Sequence, residues 1–249
     1  MLQSFSSKFF KKPEGFKAWM ALALPAWVFV GFMVAQVIVG ILLSFITYLK
    51  IPLNNVNEST IQTIGSLVIY VLALGIVIGL PWMIKKYRTS RKDVGLDSYM
   101  RWTDLLLAPA AFIVYILLSF LLTSIASNFP FYSVDQVQDT GFKALNQGYE
   151  YFLAFVTLVI VAPVSEEILF RGYLLGKLRK YIPIWASILI TSLLFGIVHF
   201  AWNVGVDVFA LSIVLCLLRI QTGRLWPSII LHMIKNAIAF YFLFINPLL

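Results

Sequence analysis

Residues 151–178 read YFLAFVTLVIVAPVSEEILFRGYLLGKL, an apolar run broken only by Glu166, Glu167 and Arg171 before Lys177. A run of this length is enough to cross a hydrocarbon core of ~30 Å. In lipid the backbone groups have to be paired within the segment, so the run is read as a helix. Ionisable side chains at that depth are costly and point to function by default. This one stretch therefore sets both the fold class and the place to look for chemistry.

Similar runs recur outward from it. Trp19–Tyr48, Ile61–Ile84, Asp104–Ser127, Tyr151–Leu178, Ile182–Ala201, Val206–Ile220 and Trp226–Ile245 give seven expected spans. An eighth would come from splitting the first around Gly31 or from a re-entrant piece near Asn203–Val208. The chain is 61% hydrophobic and 12% charged over 249 residues, far from the roughly 45–50% apolar content of soluble domains. The expected fold is all-α, a polytopic transmembrane bundle of seven or eight spans. It forms one integral membrane domain over 1–249, with the motif-bearing helices in 151–249.

The formal charge of +8 does not indicate nucleic acid. Lys8, Lys11, Lys12 and Lys17 precede the first span, and Lys85, Lys86, Arg88, Arg91, Lys92 and Arg101 share one loop. Acidic Glu58, Asp135, Asp139, Glu150 and Asp207 fall on the alternate side, with Lys50 and Lys143. Basic flanks of this kind follow the positive-inside rule and favour anionic headgroups. They place the N-terminus in the cytoplasm and make membrane lipids the surrounding partner. The N-terminal apolar stretch is too long for a signal-peptide core and is read as a retained anchor. The single Cys216 excludes an intrachain disulfide.

Three polar clusters carry the chemistry. Glu167 and Arg171 are four apart and share a helix face, so they are placed to pair. Glu166 lies about 100° around the helix, away from that arginine, and is the candidate general base. Phe195 and His199 are four apart on the next run, and His232 and Asn236 are four apart on the last. At 1.5 Å per residue, Glu166 is ~21 Å from Lys180, His199 ~25 Å from Ile182, and Asn236 ~18 Å from Arg224. The three clusters can therefore meet at one depth. Phe195 is read as packing that fixes the imidazole, and Asp207, Arg219 and Arg224 as interface charges.

The ordered set Glu166-Glu167-x-x-x-Arg171, Phe195-x-x-x-His199 and His232-x-x-x-Asn236 resembles the CPBP family of intramembrane peptidases. That family groups proteins like the CAAX prenyl protease 2 with bacteriocin-processing and self-immunity members. The resemblance covers 151–249, and it implies an intramembrane glutamic endopeptidase cutting a peptide bond near the membrane surface. It implies Glu166 as base with His199 as partner, His232 and Asn236 as oxyanion donors, and Glu167 with Arg171 as supports. It also implies peptide or lipidated-peptide substrates, prenylated or bacteriocin-like. The short loops favour a prokaryotic inner membrane.

Two other readings use the same residues. Two glutamates and two histidines could ligate zinc with a water in the fourth position. No His-Glu-x-x-His motif occurs, however, and Arg171 would neutralise one carboxylate, so neither a metal nor another cofactor is expected. A non-enzymatic scaffold, immunity factor or proton-relay transporter would also explain buried charge.

Overall fold

A computed structural model describes residues 9–49, 56–84, 88–130, 132–133, 142 and 145–246. Lys8, Lys50, Lys85, Lys86, Asp135, Asp139 and Lys143, which enter the charge argument, lie outside the described residues. Among those described there are helices and no strand. They are α1 (Met20–Tyr48), α2 (Glu58–Met83), short α3 (Arg91–Val94), α4 (Trp102–Ala126), α5 (Gly148–Leu178), α6 (Ile184–Ile197), α7 (Trp202–Thr222) and α8 (Trp226–Ile245). Six of them, all but α3 and α6, are long and apolar enough to cross a membrane. The chain is a polytopic helical membrane protein.

Two boundaries depart from the sequence reading. The fifth run was expected to span Ile182–Ala201, yet α6 has 14 residues, ~21 Å. Pro183 caps its start, and Phe200, at φ 53, turns the chain into the left-handed region that ends a helix. His199 therefore sits in the turn after α6 rather than inside a helix. The sixth run was expected to begin at Val206, yet α7 begins at Trp202 and has 21 residues. Asn203 Oδ1 accepts from Val204 N at 2.7 Å. Asp207 Oδ1 accepts from Tyr115 Oη at 2.7 Å and Ser119 Oγ at 2.6 Å. The polar residues that looked like a loop are satisfied within the helix and by α4. Asp207 is thus an internal α4–α7 link rather than an interface charge.

The chain divides into two compact units. The first comprises Met1–Val28, Thr89–Gln138 and Glu166–His232. In it α7 packs on both α6 and α4. A Cβ on Gly196 would come within 2.9 Å of Gly205 O, and one on Gly205 within 3.2 Å of Gly196 O, so these glycines let the α6 and α7 backbones touch. A clasp forms where the 88–101 segment meets the ends of α5, α7 and α8. Arg219 Nη2 donates to Asp93 O at 3.0 Å, and its Nη1 donates to Gly223 O. Leu225 N donates to Gly95 O at 2.9 Å, Trp226 Nε1 to Ser98 O at 2.8 Å, and Arg224 pairs with Asp104. Lys180 Nζ lies 2.8 Å from Asp93 Oδ1. That ammonium, with the Ser90 backbone N–H, holds the Asp93 carboxyl well below the usual carboxylate range.

The second unit comprises Phe29–Arg88, Asp139–Ser165 and Met233–Leu249. Asn57 caps α2 through Ser59 N at 2.8 Å. Glu150 caps α5 through Asn146 N at 2.6 Å and Gln147 N at 3.1 Å, and also accepts the Asn57 amide. Widened π turns at Gly75–Gly79 and Val156–Val161 each end two residues before a proline, Pro81 and Pro163. Proline lacks an N–H and its ring crowds the carbonyl four residues back. That carbonyl belongs to Val77 and Val159, inside the widened turns. The π geometry relieves both conflicts.

Candidate active site

The site begins on α5, where a further widened turn covers Ile168–Leu174 and Arg171 sits inside it. Arg171 Nη1 donates to Glu167 Oε1 at 2.7 Å, with neither side chain exposed. The expected i,i+4 pair is present. Glu167 does not serve Arg171 alone, as the sequence suggested. The same Oε1 lies 2.9 Å from His232 Nδ1 on α8. A guanidinium only donates and a carboxylate facing it accepts, so His232 Nδ1 carries its proton toward Glu167. His232 Nε2 is thereby aimed the other way, 3.8 Å from Glu166 Oε2.

The two adjacent glutamates differ in access. Glu167 is fully buried, whereas the Glu166 side chain keeps 16% of its surface. Of the pair, only Glu166 keeps accessible surface.

Phe195 joins the parts. The Arg171 guanidinium lies over its ring face at 4.3 Å, a cation–π contact. Phe170, His199 and His232 approach the ring edge-to-face at 4.9, 5.0 and 5.8 Å between centroids. The two imidazoles share this ring. His199 Nδ1 lies 2.7 Å from Phe195 O. A backbone carbonyl can only accept, so a neutral His199 is protonated at Nδ1 and leaves Nε2 as an acceptor.

Asn236 is one turn beyond His232 on α8 and falls in the second unit. There its Nδ2 donates to Leu158 O at 2.8 Å, a carbonyl within the Val156–Val161 widened turn. A carboxamide has two N–H donors, and this bond uses one. Among the described residues, no three His, Cys, Asp or Glu side chains are grouped to hold a metal ion.

A cavity of about 450 Å³ lies between α6 and α7 in the first unit, lined by Leu193, Gly196, Ile197, Phe200, Gly205, Val206 and other apolar residues. Neither the glutamates nor the histidines line it, so it is a neighbour of the charged cluster in sequence and not its reaction chamber. The sequence reading missed this cavity, as well as the Tyr115–Ser119 pair on α4. The i,i+4 spacing of two hydroxyl residues in an apolar helix was the available signal for the latter.

Residues 148–238 match the family model described as Rce1-like, type II CAAX prenyl endopeptidase. An Escherichia coli protein described as an uncharacterized 24.3 kDa protein is 34% identical over 95 residues, 36% of this chain and 44% of that one. YdiL of Bacillus subtilis strain 168, whose name gives membrane peptidase only provisionally, is 32% identical over 84 residues, 34% of each chain. The membrane-embedded CAAX protease MroQ of Staphylococcus aureus strain USA300 is 28% identical over 102 residues, 39% of this chain and 40% of that one. The chain thus matches less than half the length of each of these relatives. No solved structure matches it.

Proposed function

We propose that this chain, whose residues 148–238 match the Rce1-like CAAX prenyl endopeptidase model, is a membrane peptidase using Glu166 to activate water. The observation that carries the reading is the contact series Arg171–Glu167–His232–Glu166, at 2.7, 2.9 and 3.8 Å. It leaves one carboxylate buried as an anchor and the other, partly accessible, beside an oriented imidazole.

In the proposed reaction, Glu166 Oε2 takes a proton from water while its oxygen attacks the scissile carbonyl. Glu166 and His232 Nε2, 3.8 Å apart, are beyond a direct hydrogen bond, and one water at ~2.6–3.2 Å from each bridges them from one side. His199, with Nε2 as acceptor, is the second orienting group for that water. The second N–H of Asn236 supplies an oxyanion donor. Glu166 then returns the proton to the leaving amine, which closes the cycle with one water consumed and one peptide bond cut. Glu167 acts through His232 and is a positioning residue.

The predominantly apolar α6–α7 cavity supports substrates that carry a hydrocarbon group, prenylated or otherwise lipophilic peptides. The bacterial sources of the relatives and the basic flanks support a prokaryotic inner membrane with a cytoplasmic N-terminus. The test is cleavage of internally quenched peptides, with and without a farnesylated cysteine, by purified protein in detergent. Glu166→Gln should reduce turnover about 10²–10⁴-fold with unchanged thermal stability. A wild-type protein that cuts none of these peptides, or a Glu166→Gln variant that cuts them normally, would overturn the proposal.

A further inference from the structure

Around Arg171 the first unit buries polar atoms that the proposed reaction does not use. Arg171 offers five N–H donors. Nη1 goes to Glu167 and Phe195 covers the guanidinium face, yet Nε and Nη2 have no hydrogen-bond partner and the side chain has no exposed surface. Ser192 Oγ on α6 and Ser212 Oγ on α7 are in the same condition, each fully buried. The thiol of Cys216, one turn from Ser212 on α7 and also fully buried, lies within reach of both Arg171 and Ser192. Sulfur is a weak acceptor, so the thiol does not discharge three strong donors.

Nearby hydroxyls show that the condition is not imposed by the helices. Ser187 on α6 donates to Pro183 O at 3.1 Å, and Thr222 on α7 donates to Leu218 O at 2.7 Å. This back-bonding to the carbonyl four residues earlier is the usual way a buried helical hydroxyl satisfies itself. Ser192 and Ser212, on the same two helices, do not use it. Ser212 and Cys216 are four apart on α7 and share a helix face, and Cys216 is within reach of both Arg171 and Ser192. Buried polar groups in folded proteins are paired in the great majority, with protein or with ordered water.

We propose that the first unit encloses an internal water site held by Arg171 Nε and Nη2, Ser192 Oγ and Ser212 Oγ, against the Cys216 thiol. A buried water makes two to four hydrogen bonds, and this set supplies donors from the guanidinium together with hydroxyls that accept or donate as required. Glu167 Oε2, also buried without a partner, is an acceptor for the hydrogens such water offers. The water then holds Nε and Nη2 of the guanidinium as Glu167 holds Nη1. The site depends on α5, α6 and α7 alone and stands independently of the peptidase reading.

Radiolytic hydroxyl-radical footprinting with mass spectrometry tests it, because radicals formed from a bound water attack the side chain beside it. In the folded wild-type protein in detergent, Cys216 should be oxidised at an early dose although a maleimide in bulk solution leaves it unmodified. Ser192→Ala/Ser212→Ala should lower Cys216 oxidation several-fold while the rate at exposed Met83 is unchanged and the melting temperature stays close to wild type. Should that double variant unfold, the wild-type comparison of radical against maleimide decides alone. No radical oxidation of Cys216 in the wild-type protein, or the same rate in wild type and folded variant, overturns the site. Ready maleimide labelling overturns its enclosure.

Discussion

Replacing Glu167 with glutamine isolates the buried charge pair from the reacting carboxylate next to it. The substitution conserves volume and leaves one oxygen able to accept from Arg171 and His232, which lie 2.7 and 2.9 Å from Oε1. What disappears is the negative charge that balances a guanidinium with no exposed surface. Removing one partner of a buried ion pair costs about 3–5 kcal/mol, because the remaining charge is stranded. Melting temperature should fall by roughly 10 °C on that figure. Activity should fall as well, since the glutamine amide can present N–H to His232 Nδ1 and turn the imidazole to its other tautomer. Arg171→Met should destabilise by a similar amount, leaving the carboxylate stranded instead. The combined Glu167→Gln/Arg171→Met variant removes both charges, and a well-packed apolar replacement of a buried pair is often neutral in stability. A double-mutant cycle read by thermal unfolding in detergent should therefore give a strongly non-additive result, with the double variant more stable than either single one. Its hydrolysis should stay impaired, because His232 has still lost the carboxylate. Simple additivity of the two losses, or full activity in the double variant, would refute this account of the pair.

Asn236→Asp should lose the amide donated to Leu158 O and place negative charge where an oxyanion develops, lowering turnover about 10²–10³-fold and more than Asn236→Ala does; a wild-type rate rules out the donor role. Gly95→Ala should destabilise more than Gly223→Ala in thermal melts. Both positions have positive φ, 82 and 70, which costs an alanine roughly 1–2 kcal/mol. Only at Gly95 would the Cβ also meet Arg219 Cζ, at 2.6 Å, on a guanidinium already pinned by two carbonyls. Equal losses would show that Arg219 moves aside freely. The depressed Asp93 carboxyl contributes stability to the clasp that is fully present above its ordinary pKa of about 3.9 and lost as pH falls through the lower folded value. Protection of the Ser90–Gly95 amides from hydrogen exchange, taken against the intrinsic rate at each pH, should hold from neutral pH down to about 4 and fall below it, and Lys180→Ala should shrink that fall because the folded value rises toward the ordinary one. A fall of the same size in Lys180→Ala would remove Lys180 as the cause.

Periodicity made the local half of the site legible. Glu167–Arg171, Phe195–His199 and His232–Asn236 are each four apart, and helix geometry alone puts each pair on one face. The seam between the pairs was not legible, because the contact of His232 with Glu167 joins positions 65 apart and follows from tertiary packing. The ends of α6 and α7 failed for a related reason. A left-handed helix stop normally announces itself as glycine, and here the residue is Phe200. Asp207 read as an interface charge because its hydroxyl partners on α4 lie 88 and 92 positions earlier. The widened turn before Pro163 was readable as a kink, while its use, a carbonyl that receives Asn236, was not.

Two neighbouring glutamates in one membrane helix would repel each other and compete for the same cation if they faced the same way. The 100° step between adjacent helical residues separates them. One turns inward, where Arg171 and the Nδ1 of His232 balance it; the other keeps part of its surface accessible. His232 contacts both, and its two ring nitrogens are 65 and 66 positions away in sequence from the carboxylates they face. An imidazole held at Nδ1 cannot rotate without breaking a buried hydrogen bond, so the direction of Nε2 is set by Glu167 while its distance to Glu166 is set by the helix that carries both. Inverting the two residues by exchanging one for aspartate at a time should separate these effects. Glu166→Asp shortens the reacting arm only, so it should slow turnover while melting stays near wild type. Glu167→Asp pulls the anchor away from Arg171 and His232 together, so it should lower stability and turnover at once. If Glu166→Asp proved the less stable of the two, with Glu167→Asp slower but as stable as wild type, the assignment of anchor and base would have to be reversed.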